Sequence, residues 1–362
     1  MRKISLLVAV VIVALGMSTG RVQAQKQKTL DIYSIDVEGG QATLFVSPAG
    51  ETMLVDAGIP GPRDSGRIIA AAKAAGVKHI DYMVNTHFDG DHVVGVAEVA
   101  AQLPMRNFVD HGSIVLTAEG PVAIFRNYVA VREKGHHILA KAGEKIPIAG
   151  FDVQIVTAGG EAIKKPLQGG GSPNPLCAGF TPQDDQQGIE DPLSVGILVR
   201  YGRFRMIDLG DLLWNKEHDL VCPNNPIGTV DLYLTTRHGL NAAGAPVMVH
   251  ALRPRVAVMN NGPRKGGSRE AWMTVKSSPG LEDLWQLHYS VARPPSPQPT
   301  IHETSPSGGP ELNTSEQMIA NLDEAADHAA VYNLKISARE DGSFVVTNPR
   351  NGYSKEYKAR KP

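Results

Sequence analysis

The sequence predicts an α/β fold in which two mixed β-sheets pack face to face, with helices on their outer faces. Three observations support this prediction. Short runs of apolar or alternating residues are separated by Gly-rich or Pro-Gly turns, which is typical of strands. Runs of helical composition follow some of these strands. The series of strands, helix, strand and helix is then repeated, which indicates one domain made of two similar halves.

The elements follow in order along the chain. Apolar or alternating runs predict strands at 30–37, 42–48, 52–58, 79–86, 151–158, 194–202, 204–211, 230–237 and 255–261. Helical patterns predict helices at 66–76, 93–103 and 316–328, and a terminal hairpin is expected at 332–348. Two stretches rich in Gly and Pro, 159–192 and 292–317, predict long loops. Such loops are either lids over a site or surface segments without function.

The N-terminus is typical of a secretory signal peptide. Arg2 and Lys3 precede an apolar run at 4–15, and small residues lead to Ala24. The apolar run is shorter than the ~20 residues that a membrane-spanning helix needs. We expect cleavage after Ala24, a periplasmic or secreted protein and a single mature domain at 25–362. An uncleaved anchor is the alternative.

Net charge limits the classes of partner. Loss of Arg2, Lys3 and Arg21 with the signal peptide takes the formal net charge from -1 to -4. A chain without a basic surplus is not expected to bind long nucleic acid by bulk electrostatics, although a local basic patch is compatible with this charge.

Two cysteines remain after cleavage. In an oxidising compartment Cys177 and Cys222 are the only pair available for a disulfide, and two free thiols are the alternative. Neither cysteine lies in a zinc-finger spacing, so the sequence does not predict a thiolate metal site.

The stretch NTHFDGDH at 85–92 contains two histidines and two aspartates. If the chain is extended after the strand, His87, Asp89 and Asp91 lie at every second position and project to one side, followed directly by His92. Gly90 would then allow a sharp backbone turn. Imidazole and carboxylate form a ligand set that zinc accepts, with manganese or iron next. The alternative is a polar turn.

Two further strand ends supply candidate ligands. Asp211 follows the strand in FRMIDLGDL, and His238 follows the strand in DLYLTTRHGL. Taken singly, Asp211 could cap a helix and His238 could be an ordinary loop residue. Together with the loop at 85–92, they predict a metal site built from three separate parts of the chain.

These motifs resemble the metallo-β-lactamase superfamily. The order H-x-D-x-D-H, then G-D-L, then an H-G turn is similar to that family, and more narrowly to the branch that contains the soluble domain of the competence protein ComEC. Weaker matches to that branch are DVEGGQA at 36–42, LVDAG at 54–58 and the segment at 252–262. The resemblance covers roughly residues 30–350. It implies an αββα sandwich.

The resemblance also implies the roles of individual residues. The first metal ion would be bound by His87 and Asp89, the second by Asp91, His92 and His238, with Asp211 bridging the two. Asp56 would hold a ligand in orientation. Asp91 would also act in catalysis, by orienting a metal-bound hydroxide. The cofactor would be one or two zinc ions, with manganese or iron possible.

The sequence departs from the family at two places. The G-H-[ST]-x-G turn that usually supplies another histidine is absent, and Ser194 or Asp191 occupies that region, so the first site is expected to be short of a ligand. Arg237 replaces the first histidine of the family's H-H-G turn. It could grip phosphate or carboxylate, or be an ordinary surface residue.

A few other polar residues are weaker candidates for substrate binding. His111, in VDHGS, is a loop histidine that could contact substrate. A rim for anions could be formed by Asn260, Asn261, Arg264, Lys265 and Arg269, although a solvated loop is the commoner explanation.

The family resemblance implies a metal-dependent hydrolase, most simply of a small or short phosphodiester, and the N-terminal pattern predicts that it is exported. Hydrolysis of a carboxylic ester, lactone or lactam is the alternative, and so is a binding protein that has lost activity. The oligomeric state is not predicted.

Overall fold

The computed structural model describes residues 28–184, 189–295, 306–324 and 331–360. The strands are, in chain order, β1 (Leu30–Ser34), β2 (Thr43–Val46), β3 (Thr52–Val55), β4 (Ile80–Val84), β5 (Met105–Asp110), β6 (His136–Leu139), β7 (Lys145–Ile146), β8 (Asp152–Ala158), β9 (Glu161–Ala162), β10 (Ser172–Pro173), β11 (Gly196–Tyr201), β12 (Phe204–Asp208), β13 (Asn224–Asn225), β14 (Leu232–Leu234), β15 (Val256–Met259), β16 (Asp283–His288), β17 (Ile319–Asn321), β18 (Leu334–Ala338), β19 (Phe344–Asn348) and β20 (Tyr353–Tyr357). The helices are α1 (Pro62–Ala74), α2 (Gly90–Val93), α3 (Val96–Ala100), α4 (Glu119–Arg132), α5 (Trp214–Val221), α6 (Pro246–Leu252) and α7 (Arg269–Lys276).

Two large mixed sheets organise the molecule. The first has the order β20-β19-β18-β1-β2-β3-β4-β5-β6, and the second has the order β17-β16-β15-β14-β12-β11-β8-β7, with β9 paired to β8. Strands β3 to β6 run parallel in the first sheet, and β12, β14, β15, β16 and β17 run parallel in the second. Each sheet thus joins an antiparallel part to a parallel part, which agrees with the two similar halves predicted from the sequence.

Three apolar cores hold four layers together. The core between the sheets contains Phe45, Val84, Met206 and Trp285, all at most 1% exposed. A second core packs the outer face of the first sheet against α1 to α4, and a third packs the outer face of the second sheet against α5 to α7. Apolar area removed from water is the main stabilising contribution in such layers. The αββα sandwich predicted from the sequence is therefore confirmed.

The parallel strands place their carboxyl ends at one edge of the sandwich. In the first sheet β3, β4 and β5 lead into Asp56, the loop at 85–92 and His111. In the second sheet β12, β14 and β15 lead into Asp211, the turn at 237–238 and the segment at 260–265. Polar side chains that are far apart in the sequence are thus brought to one region of the fold.

Two of the predicted helices differ from the structure, and the strand β5, the strand β16 and the helices α4 to α7 were not predicted. The helix predicted at 93–103 is divided into α2 and α3. The helix predicted at 316–328 is wrong over 316–321, where a short 3-10 turn leads into β17, and part of it lies outside the described residues. Pairing of Ile319 and Asn321 with β16 outweighs the helical composition of the segment.

Cys177 and Cys222 form a disulfide, with their Cα atoms 5.9 Å apart, so the predicted pairing is confirmed. The predicted signal peptide and parts of both long loops, 185–188 and 296–305, lie outside the described residues. None of the helices in the described ranges is long and apolar enough to cross a membrane.

Candidate metal centre

The loop after β4 carries the first predicted ligands. Its backbone is fixed at both sides, since the amide of Asn85 donates to the Val109 carbonyl (2.9 Å) and the amide of Thr86 donates to Asp56 Oδ1 (2.8 Å). The chain is extended only as far as Asp89, and α2 then begins at Gly90. Asp91 and His92 therefore lie on a helical turn, and the extended loop predicted through Asp91 is wrong beyond Asp89.

Asp91, His92, Asp211 and His238 form one cluster of donor atoms. His92 Nε2 lies 3.4 Å from Asp91 Oδ2 and 3.3 Å from Asp211 Oδ1. His238 Nε2 lies 3.3 Å from Asp91 Oδ2 and 3.4 Å from Asp211 Oδ2. Both sheets contribute to this cluster, and Asp211 contacts both histidines.

His87, Asp89 and Asp191 form a second, adjoining group. His87 Nε2 lies 3.7 Å from Asp89 Oδ2 and 3.9 Å from Asp191 Oδ1. One donor atom from each of the three lies within 4.8 Å of the others, and the same holds for His87, His92 and Asp211. Asp211 therefore lies between the two groups. Asp191 takes the place that the sequence left undecided between Asp191 and Ser194.

Several buried atoms of these groups have no hydrogen-bond partner. They are His87 Nε2, His92 Nε2, His238 Nε2, Asp191 Oδ1 and Asp211 Oδ1. A buried polar atom without a partner is costly, and one or two metal ions bound between these groups would satisfy all five. Imidazole nitrogen with carboxylate oxygen is also a donor set that zinc, manganese and iron accept. The residues present therefore fit a centre for one or two metal ions.

Other buried side chains hold the histidine ligands in orientation. Asp56 Oδ2 lies 2.7 Å from His92 Nδ1 and accepts a hydrogen bond from Thr86 Oγ1 (2.7 Å). Asn260 Nδ2 lies 3.3 Å from His238 Nδ1. These contacts direct the Nε2 atoms towards the common space, which is the usual arrangement around histidine ligands. Asn260 is 3% exposed and Asn261 is fully buried, so neither belongs to the anion rim considered from the sequence.

Gly210 is a glycine that the geometry of the site requires, whereas Gly90 is not. Gly210 has a φ of +56°, and a Cβ there would lie 2.7 Å from Cβ of Thr86. Gly90 has open space around a Cβ, with Val94 nearest at 3.9 Å, so the sharp turn predicted at Gly90 is wrong. The left-handed turn at Gly210 brings Asp211 against the loop of the other sheet.

Two cations lie beside the carboxylates. Lys265 Nζ contacts Asp91 Oδ2, and its side chain is 35% exposed. Arg237 Nη2 lies 3.3 Å from Asp191 Oδ1, and its side chain is 3% exposed. Lys265 thus occupies a position open to an incoming group, whereas Arg237 is built into the site.

His111 has a different environment from the one predicted. Its side chain is 1% exposed, packs against the ring of Phe88 and lies 3.0 Å from Glu190 Oε2. Because the side chain is buried, the geometry gives no support to the substrate contact predicted for His111. The contact between the two side chains instead holds Glu190, the neighbour of Asp191. No pattern in the sequence indicated Glu190.

The carboxylates divide into two kinds by pKa. Burial, aided by Asp91, raises the pKa of Asp89 to about 6, and burial raises the pKa of Asp191 to about 7 against the guanidinium of Arg237. Burial also acts on Asp91, but Lys265 and His92 hold its pKa well below the usual range. Burial of Asp211 is outweighed in the same way by His238 and His92. Without metal, Asp89 and Asp191 therefore take up protons near neutral pH, while Asp91 and Asp211 stay ionised.

Replacing Asp56 by asparagine is expected to weaken metal binding by about 10–100-fold, because His92 loses the carboxylate that orients it. The measurement is competition with a fluorescent zinc chelator. Asp219→Asn is the matched control, since Asp219 is 53% exposed and lies outside both groups. Equal affinity in Asp56→Asn and the control would contradict a role of Asp56 at the metal centre.

Comparison with known proteins agrees with this architecture. A model of the metallo-β-lactamase superfamily matches residues 35–178, which include Asp56 and the loop at 85–92 but end before Asp191. Together with the αββα sandwich, the match supports the metallo-β-lactamase superfamily and a metal-binding fold for this chain. No curated protein matches the sequence.

Several solved structures are similar at low identity. The metallo-β-lactamase fold protein YhfI from Bacillus subtilis is 10% identical over 72% of this chain and 96% of its own, with a TM-score of 0.42. CmlA, a diiron β-hydroxylase from Streptomyces venezuelae, is 15% identical over 71% of this chain, with a TM-score of 0.41, and the alignment spans only 48% of CmlA. Zn²⁺-bound PqqB from Methylobacterium extorquens is 15% identical over 58% of this chain and 73% of its own, with a TM-score of 0.37. These similarities are too low to carry an argument about activity.

Proposed function

We propose that this chain is an exported metal-dependent hydrolase that acts on small or short phosphodiesters. The observation that carries the proposal is the convergence of five buried donor atoms that have no hydrogen-bond partner, from His87, His92, Asp191, Asp211 and His238. In the proposed assignment, His87, Asp89 and Asp191 hold one ion, and Asp91, His92 and His238 hold the other. Asp211 lies between the two groups and would be the ligand shared by both ions.

Metal ions bound there would lower the pKa of a coordinated water and polarise the bond under attack. The chain's own residues supply the rest. The pKa of Asp91 is held well below the usual range, so this carboxylate remains ionised and would orient the attacking water. Asp56 and Asn260 keep His92 and His238 from rotating.

Positive charge beside the centre favours an anionic substrate. The ammonium group of Lys265 is partly exposed next to Asp91, and the guanidinium of Arg237 lies behind Asp191. A phosphodiester carries a negative charge through the reaction, and Lys265 is placed to compensate it. A neutral ester, lactone or lactam would gain less from this cation.

Export is part of the proposal. The first 24 residues have the signal-peptide pattern, and the Cys177–Cys222 disulfide suits an oxidising compartment. A fusion of residues 1–30 to a reporter that is active only outside the cytoplasm would test this part separately from the chemistry.

A substrate panel tests the proposed activity. Mature protein is incubated with zinc or manganese and, in turn, with bis-p-nitrophenyl phosphate, single-stranded DNA, a lactone and a chromogenic lactam. We expect turnover of the phosphodiesters and its loss in Asp91→Ala and His92→Ala. Turnover of the lactone or lactam alone would overturn the substrate class. Equal rates in wild type and both variants would point to a contaminant and leave a binding protein with this fold.

A further inference from the structure

A cleft of about 260 Å³ lies at the other end of the second sheet from the metal centre. Strand β12 connects the two regions, because it begins at Phe204 beside the cleft and ends at Asp208, close to Asp211. Four arginines and two aspartates line the cleft, which leaves a formal charge of +2: Arg200, Arg203, Arg205, Arg360, Asp231 and Asp341. No step of the proposed hydrolysis uses this cleft.

Two of these arginines face each other directly. Arg200 on β11 is the cross-strand partner of Arg205 on β12. Directly opposed side chains lie on the same face of a sheet, and like charges in that position are destabilising. An anion between the two guanidinium groups would turn this repulsion into attraction.

The arginines of the cleft are bonded mainly to neutral oxygens. Arg205 donates to the carbonyls of Gln168 (2.7 Å) and Ile227, and its Nε is buried without a partner. In the part of the chain that the structure describes, no carboxylate lies within ion-pair distance of Arg200, Arg203 or Arg205. None of these three guanidinium groups is therefore in an ion pair with a described residue, and Asp231 and Asp341 act on Arg205 and Arg203 only from a longer distance.

The buried aspartate of the cleft is already paired. Asp231 Oδ1 lies 3.3 Å from Arg360 Nε and 3.6 Å from Arg255 Nη1. Burial lowers the pKa of Arg205, and the charge of Arg200 lowers it further. Desolvation and repulsion thus both disfavour the charged form of Arg205, which lies in a cleft with a net positive charge.

We propose that the cleft is a second ligand site, for a compact oligoanion of the phosphate class with at least two negative charges. Guanidinium groups bind phosphate oxygens through paired hydrogen bonds, and Arg200 and Arg205 present two such groups side by side. The cleft volume corresponds to about nine water molecules, which suits an anion the size of pyrophosphate. This site is independent of the proposed hydrolase activity.

The test is titration of the mature protein with inorganic pyrophosphate in a calorimeter at low ionic strength. We expect saturable binding, and a rise in Kd of roughly tenfold or more in Arg200→Gln/Arg203→Gln, which leaves in place Arg205 and Arg360 with their backbone contacts. The matched control is Arg126→Gln/Lys134→Gln. It removes the same charge from exposed positions on and after α4 and should bind like wild type.

Two further variants keep the result interpretable. Asp211→Asn should bind pyrophosphate like wild type, because it alters only the metal centre. If the double variant does not fold, Arg203→Gln alone replaces it in the titration, because Arg203 is at an exposed position. This single variant should give a smaller rise in Kd. The proposal would be overturned if wild type did not bind pyrophosphate, or if Kd were unchanged in both arginine variants. It would also be overturned if Asp211→Asn lost binding while the arginine variants kept it.

Discussion

Asp211→Asn is expected to lower metal-dependent turnover by about a thousandfold or more, because the bridging carboxylate serves both halves of the proposed centre. Asp211 lies 3.3 Å from His92 Nε2 and 3.4 Å from His238 Nε2, and one of its oxygens has no other partner. Asparagine keeps the shape but loses the negative charge. The measurements are kcat on the best substrate of the panel and metal content after dialysis.

Asp152→Asn is the matched control for this substitution, since Asp152 is 55% exposed and pairs only with Lys145 among the described residues. Its metal content and kcat should equal those of wild type. Retention of both metal equivalents and of full turnover in Asp211→Asn would refute the assignment of Asp211 as a bridging ligand.

Removal of metal is expected to lower the melting temperature by roughly 5–10 °C for a chain of this size. Free metal at about a thousand times its Kd stabilises the folded state by about 4 kcal/mol, provided that the unfolded chain does not bind it. In the metal-free chain, the Nε2 atoms of His87, His92 and His238 are buried without partners. Differential scanning calorimetry with EDTA, and then with zinc restored, measures the change.

The size of this change should depend on pH. Asp89, with a pKa of about 6, and Asp191, with a pKa of about 7, hold protons in the metal-free chain at lower pH. Protons then compete with the ion for Asp89 and Asp191, so the rise in melting temperature given by metal should shrink as the pH falls from 8 to 6. Equal melting temperatures with EDTA and with zinc at pH 8 would contradict the metal centre altogether.

The sequence was sufficient to predict the candidate metal ligands that lie in a recognisable motif. The loop at 85–92, the turn before Asp211 and the turn before His238 each follow an apolar strand, and parallel strands bring such ends together. The sequence could not decide between Asp191 and Ser194, because both precede β11 and only tertiary packing selects the carboxylate. His111 and Glu190 hold that segment, and their pairing joins two loops that are distant in the chain.

Other errors have similar physical causes. Gly90 was predicted to permit a turn because of its neighbours, whereas the close approach occurs at Gly210, where Thr86 from the other sheet sets the limit. The segment at 316–321 has helical composition but is a strand because β16 offers it an open edge. The roles of Lys265 and Asn260 depend on contacts with Asp91 and His238 from other strands, which local pattern does not reveal.

The division of the ligands between the two sheets has a consequence for biogenesis. His87 to His92 leave the ribosome long before Asp211 and His238, so the early part of the chain cannot complete either coordination sphere while it is being made. Full loading with metal must wait until the second sheet has formed and closed on the first. A chain that is exported before it folds would then acquire its ions after translocation, from the metals present outside the cytoplasm.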